Sequence, residues 1–299
     1  MSKTQKAVLK QIGMHLFLLV VLAAVMLPIL WIFSIALDPR NIDKPLELTL
    51  IPPGASFESF RKILIEPFGL LCRNPSDPSS CMTFTLLLKN SLIVALGTSV
   101  LAVILGSSAA YAFSRFQFIG RQAGMLGFII LLMLPASATL APLFVLLSQI
   151  KIGDESLRLT LIGLMLAYGS GTLPFTIWNL KGYFDTVPKE LEEAALIDGA
   201  SMTQTFIRII MPLSVPAIAV TILFAFMSGW TEFILAWTFL ENPQRFTLAM
   251  ALRSMQGQFA TPWSEFAAMS ILMSIPIIVL FFLLQRYLVS GLTVGGVKG

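Results

Sequence analysis

Few residues in this chain could do chemistry, and they stand far apart. His15 is the only imidazole, and Cys72 and Cys81 are the only thiols in 299 residues. A zinc site needs three or four Cys, His or acidic ligands at close spacing, and an activated nucleophile needs a neighbouring base. Neither pattern is present. A phosphate-binding loop of the G-x-x-x-x-G-K-[ST] type is excluded too, because no glycine is followed by lysine. Cys72 and Cys81 bound the polar stretch CRNPSDPSSC, where they read as a disulfide in an oxidising compartment or as two separate thiols. The remaining chemistry is acidic. Glu232 lies in SGWTEFILAW, at the end of a long apolar run, and an acid at such a depth is a functional candidate. Trp230, Trp237 and Trp178 could stack on a ligand ring, although tryptophan also belts membrane interfaces. Glu190, Glu192 and Glu193 open a second acidic cluster.

The elements that must position these residues are apolar. Hydrophobic residues make up 56% of the chain and charged residues 12%, against about 25% charged in soluble domains. Runs without Asp, Glu, Lys or Arg cover 11–37, 90–114, 122–150, 159–180, 209–231 and 266–285. A bilayer core requires roughly 20 apolar residues of helix, so six transmembrane helices in an all-α integral membrane protein are expected. The first run exceeds the apolar length of a signal peptide and is read as a retained span. The net charge of +4 is scattered between spans and forms no stripe for nucleic acid. Lys3, Lys6 and Lys10 lead the first span without an acid, which points the N-terminus to the cytoplasm. With six spans the C-terminus shares that side.

This division gives a tail at 1–12, a six-span domain at 13–291 and a second tail at 292–299. Residues 38–88 form the long outer loop, with a short helix near FESFRKILIE. The second span carries the small residues of GSSAAYAF, which let helices pack closely. Pro135, Pro142 and Pro174 suit bent or cavity-lining helices.

The polar segment 181–212 is the exception among these greasy stretches. Pro188 suits a first helical turn, and Glu190, Glu192 and Glu193 complement the positive end of a helix dipole. The helix should run to about Ile197 and stop at Gly199, in left-handed geometry. Ser201 and Gln204 form a capping box that starts a second helix, through Phe206 and Ile209 to about Pro212. Two short helices around a glycine make a compact knob. On it, Ala194 and Ala195 admit a close partner and Glu193 offers a charge.

The spacing E-A-A, three residues, G, nine residues, I, one residue, L, P resembles that of permease subunits of ATP-binding cassette (ABC) importers. Here it reads Glu193-Ala194-Ala195, Gly199, Ile209 and Met211-Pro212, with Met in place of Leu. The chain also resembles the smaller permease subunit of maltose-type sugar importers, in KGYFDTVPKELEEAALIDGA, MPLSVPAIAV, FTLAMAL, LIPPGASFESF and QRYLVSGLTVGGVKG. The resemblance implies a type I importer permease fold in the inner membrane of a prokaryote. It makes the E-A-A segment a cytoplasmic coupling helix that docks on an ATPase. It also implies that the tail Gly295-Gly296-Val297-Lys298-Gly299 touches the ATPase, and that Trp230 and Glu232 lie near the translocation path. The implied partners are a homologous second permease, an ABC ATPase dimer that binds ATP and Mg, an extracytoplasmic sugar-binding protein and the bilayer. No cofactor and no catalytic residue is expected in this chain. Maltose, maltodextrin or a related oligosaccharide is the implied cargo. The competing class is a secondary transporter driven by an ion gradient, for which the single intramembrane acid offers no relay.

Overall fold

The computed structural model describes residues 3–40, 49–72, 81–257 and 261–294. In chain order, α1 (Lys3–Ala36) precedes a segment that holds the short helix α2 (Glu58–Ile65), where the sequence places one. Strands β1 (Phe68–Cys72) and β2 (Cys81–Met82) pair as a small ribbon. Next come α3 (Phe84–Arg115), α4 (Arg121–Met133) and α5 (Ala136–Gln149), then a second ribbon of β3 (Lys151–Ile152) and β4 (Glu155–Ser156), and α6 (Leu161–Phe184). The knob contains α7 (Glu190–Ile197), α8 (Met202–Thr205) and α9 (Met211–Leu213). The last helices are α10 (Val215–Thr231), α11 (Ile234–Phe239), α12 (Leu248–Ser254) and α13 (Trp263–Val294).

Among the described residues, α1, α3, α6 and α13 are unbroken and apolar enough to cross a membrane. The other two apolar runs are helical but bent, so the chain is all-α with four to six spanning helices. The run 122–150 breaks between α4 and α5. Leu134 is extended there, at φ −72° and ψ 134°, because the ring of Pro135 disfavours the helical region for the preceding residue. The run 209–231 does not begin a straight span at Ile209. The helical stretch 202–213 meets α10 at 79°, and the turn falls at Ser214.

The chain packs as two compact units. One comprises residues up to Phe68 together with Ser254–Ser274. In it, Lys62 and Glu265 form an ion pair at 3.4 Å, Arg40 pairs with Asp38 at 2.7 Å, and the apolar side chains of α1 from Leu16 to Leu30 are largely exposed.

The other unit is built on α3, α6 and α10. Small residues let these helices approach: a Cβ added to Gly106 would meet Thr176 Cγ2 at 2.2 Å, and one added to Gly229 would meet the Ala95 backbone at 3.0 Å. At the end of α3 that starts with Phe84, polar side chains anchor the chain between α11 and α12. Asn90 Nδ2 donates to the carbonyls of Gln244 and Phe246, both at 2.9 Å, and Ser91 Oγ accepts from Leu248 N–H at 2.8 Å. These bonds satisfy backbone groups that a membrane protein cannot leave open. They also explain how a stretch with no long apolar run is buried at Leu235, Phe239, Leu248 and Met250.

Candidate functional site

The knob lies at the opposite end of α3, beside Arg115. Helix α7 starts at Glu190, two residues after Pro188, with three glutamates in its first turn. It ends where expected, and Gly199 takes φ 83°, the left-handed conformation in which a side chain is strained. Ala200 N–H closes the turn on Ala195 O at 2.9 Å. The capping box is complete: Gln204 N–H donates to Ser201 Oγ at 3.3 Å, and Ser201 N–H donates to Gln204 Oε1 at 2.8 Å.

The second helix differs from the sequence expectation. Its α-helical part lasts four residues and widens into a π-helical turn, Phe206–Ile210, before α9. The wider turn goes with a packed side. Phe206 lies 4.8 Å from the ring of Tyr111, and Ile210 is fully buried among Tyr111, Leu180, Phe184 and Val187. Pi-helical turns of this kind recur at functional sites.

The E-A-A residues divide by face. Glu193 and Ala194 are exposed, while Ala195 is buried within the chain, so one of the two expected alanines serves internal packing. Leu191, Leu196, Ile197 and Met202 join Glu193 on the exposed surface, and Ile197 is 87% accessible. Ile209 and Met211 are half-buried at the base of the knob, and Pro212 is exposed.

Glu192, which the sequence reading used only as a helix-dipole charge, has a distinct position. It is buried, and its carboxylate forms an ion pair with Arg115 Nε and accepts from Tyr111 Oη at 2.7 Å. The rest of the guanidinium is engaged as well, with Arg115 donating to Ser114 Oγ and to Val187 O, both at 3.0 Å. Ser114 Oγ donates onward to Asp185 Oδ1 at 2.6 Å, and Lys181 pairs with the other oxygen of Asp185. Burial alone would raise the Asp185 pKa, but the hydrogen bonds from Lys181 and Ser114 outweigh it and hold the carboxyl below its ordinary value. The sequence signal for this cluster was slight: a lone Arg closing an apolar run and one glutamate among three.

Elsewhere, Trp230 and Glu232 have different settings. Trp230 is 1% exposed and stacks on Phe226 at 5.4 Å, so its ring is packed within the chain. Glu232 stands at the break between α10 and α11. Its Oε1 accepts from Ile234 N–H at 2.8 Å, and Oε2 accepts from Leu235 N–H at 3.1 Å. Trp178 and Trp237 are each about half exposed, and Trp178 lines a cavity of 930 Å³ with Arg121 and Lys181. Cys81 is disulfide-bonded, while the Cys72 side chain and the tail 295–299 lie outside the described residues.

The structure thus carries an exposed helix–glycine–helix knob at one end of a set of apolar helices. The chain belongs to the family of binding-protein-dependent transport system inner membrane components, whose pattern matches residues 82–294. It is a multi-pass inner-membrane permease subunit and not itself an enzyme. It is 34% identical over 293 residues to the maltose/maltodextrin transport system permease protein MalG of Yersinia pestis, covering 97% of this chain and 94% of that one. The maltodextrin transport system permease protein MdxG of Bacillus subtilis is 42% identical over 215 residues, covering 71% and 74%. In fold, the chain is similar to a bacterial ABC transporter involved in the import of the acidic polysaccharide alginate. That likeness has a TM-score of 0.73 at 20% identity and covers 96% of this chain and 98% of the other.

Proposed function

We propose that this permease carries an oligosaccharide of the maltose or maltodextrin class, driven by ATP hydrolysed on a partner ATPase dimer. A homologous second permease completes the translocation path, and an extracytoplasmic binding protein delivers the sugar. Relatives named for maltose and maltodextrin, one matched over 97% of this chain and one over 71%, support the cargo. The observation that carries the coupling role is the knob itself. It exposes Glu193, Ala194 and a rim of apolar side chains on a rigid turn at Gly199.

ATP closes the ATPase dimer, the docked knobs move with it, and the two permeases open to the other face. The bias comes from the higher affinity of ATP for the closed dimer. In this reading the knob, the N-terminal tail and the residues 295–299 are cytoplasmic, and the last five contact the ATPase. Glu232 lies beside the path, at a helix break, and Cys72 is the disulfide partner of Cys81 in the outer loop.

The test is sugar uptake into vesicles that hold the reconstituted complex. Uptake should stop with vanadate, be indifferent to an ionophore, and disappear with loss of the ATPase in Glu193→Lys. Uptake that survives vanadate and collapses with the ionophore would instead identify a secondary transporter.

A further inference from the structure

Helix α7 is attached to the rest of its unit by very little side-chain packing. Glu192 and Ala195 are its only buried residues. Ala195 is a small apolar contact. Glu192 is a buried charge bonded to Tyr111, itself a member of the apolar cluster with Phe184 and Val187, and its ionic partner is Arg115, the last residue of α3. A buried ion pair adds little stability over a well-packed apolar pair, and losing one partner strands the other. Stability alone is therefore a weak reason for this pair. Its geometry supplies a better one.

The Arg115 fork joins three pieces of chain: Glu192 on α7, Val187 in the connection from α6, and Ser114 on α3. Ser114 passes the connection to Asp185, which also pairs with Lys181 on α6. Tyr111, one turn before Arg115 on α3, holds the second oxygen of Glu192. Glu192 and Glu193 are neighbours on one helix, so α7 presents one acid inward to the spans and the next outward.

We propose that the Arg115–Glu192 ion pair is a positioning linkage that makes α7 and α3 move as one body. Force applied to the exposed face of α7 reaches the span through Glu192 rather than only along the chain through Asp185 and Ser214. The proposal rests on the coupling reading of the knob.

The experiment uses the complete transporter with its binding protein and reads two quantities separately. The first is the amount of ATPase retained on pull-down. The second is the ratio of hydrolysis with and without sugar-loaded binding protein, measured per assembled complex. Glu192→Gln keeps the shape of the side chain and an acceptor for Tyr111 but removes the charge. It should retain the ATPase, lower the stimulation ratio about tenfold, within the usual range of a coupling between sites, and lower uptake with it. Exchanging the charges, with Arg115→Glu and Glu192→Arg together, should recover a large part of the ratio. Arg115→Lys keeps the charge but loses the fork to Val187 and Ser114, and should fall between the two.

A merely structural pair would change the yield of complex and leave the ratio per complex intact, and that result overturns the linkage. So does an unchanged ratio in Glu192→Gln, or a failure to assemble that the exchanged pair does not relieve. Glu193→Lys on the opposite face keeps the two ideas distinguishable. If it retains the ATPase with full stimulation, the docking role of the knob fails, whatever Glu192 does.

Discussion

Glu232 sits where α10 ends and α11 begins, and its carboxylate receives the N–H groups of Ile234 and Leu235. Tyr168 Oη donates to the Glu232 carbonyl at 3.2 Å. A helix end in an apolar setting leaves backbone donors that something must satisfy, and this acid does so. That role is compatible with one beside the path, and two substitutions separate them. Glu232→Ala removes the acceptors and should cost about 1 kcal/mol, the usual loss of a helix cap, seen as a lower melting temperature of the purified complex. Glu232→Gln keeps an acceptor and should hold stability near wild type. If the charge itself serves translocation, Glu232→Gln will still lose sugar uptake while the complex binds ATP; normal uptake in Glu232→Gln would leave Glu232 with capping alone.

At the scale of elements, the polar punctuation of the sequence was readable and the continuity of the spans was not. Pro135 ends α4 by a local rule acting on Leu134, so a bend in that run was readable from its prolines. The bend at Ser214 falls two residues after Pro212, where the sequence ends the second knob helix, but nothing local in the charge-free run 209–231 fixes its angle of 79°. It follows from packing: Ile210 is drawn into the cluster under the knob while α10 runs against α3 and α6. The ribbon of β1 and β2 gives a prediction of its own. Strand β1 ends at Cys72 and β2 begins at Cys81, so a bridge between them would close the short polar loop. Such a closure constrains the unfolded chain by about 2–3 kcal/mol in the entropy model. Thiol labelling of the denatured, unreduced protein should find no reactive cysteine, and two labelled thiols would remove the bridge.

For the molecule as a whole, the burial pattern separates an internal core from surfaces that need another covering. Helices α3, α6 and α10 bury small and apolar residues against one another, whereas α4 has no buried residue and α1 exposes its apolar side chains from Leu16 to Leu30. In a membrane permease those outer faces meet lipid or a second subunit, while the core must hold its shape through the transport cycle. Gly229 tests this, because Ala95 Cα and Thr98 Oγ1 stand 3.0 and 3.1 Å from where its Cβ would be. Gly229→Leu should overpack the α3–α10 contact at a cost of about 1–3 kcal/mol, read as earlier thermal unfolding of the complex in detergent. Gly127 on α4 has open space around it, and Gly127→Ala should be neutral or stabilising by up to about 1 kcal/mol. Equal destabilisation by both changes would mean that the glycines act through the backbone and not through helix contact.

The sequence by itself determined which stretches are helical and apolar, because charge-free length and capping chemistry are local properties. It also determined the knob: the glutamates, Gly199 and the Ser201–Gln204 box act on neighbours within a few residues. The tertiary structure decided the assignments that depend on what lies across the interface. Glu192 points inward to Arg115 while Glu193 points out, Ala195 is buried in internal packing, and Trp230 is buried and stacked on Phe226. Adjacent residues on a short helix look alike in sequence. Only the position of α3, some eighty residues earlier in the chain, makes one of them a buried ion pair and leaves the next exposed.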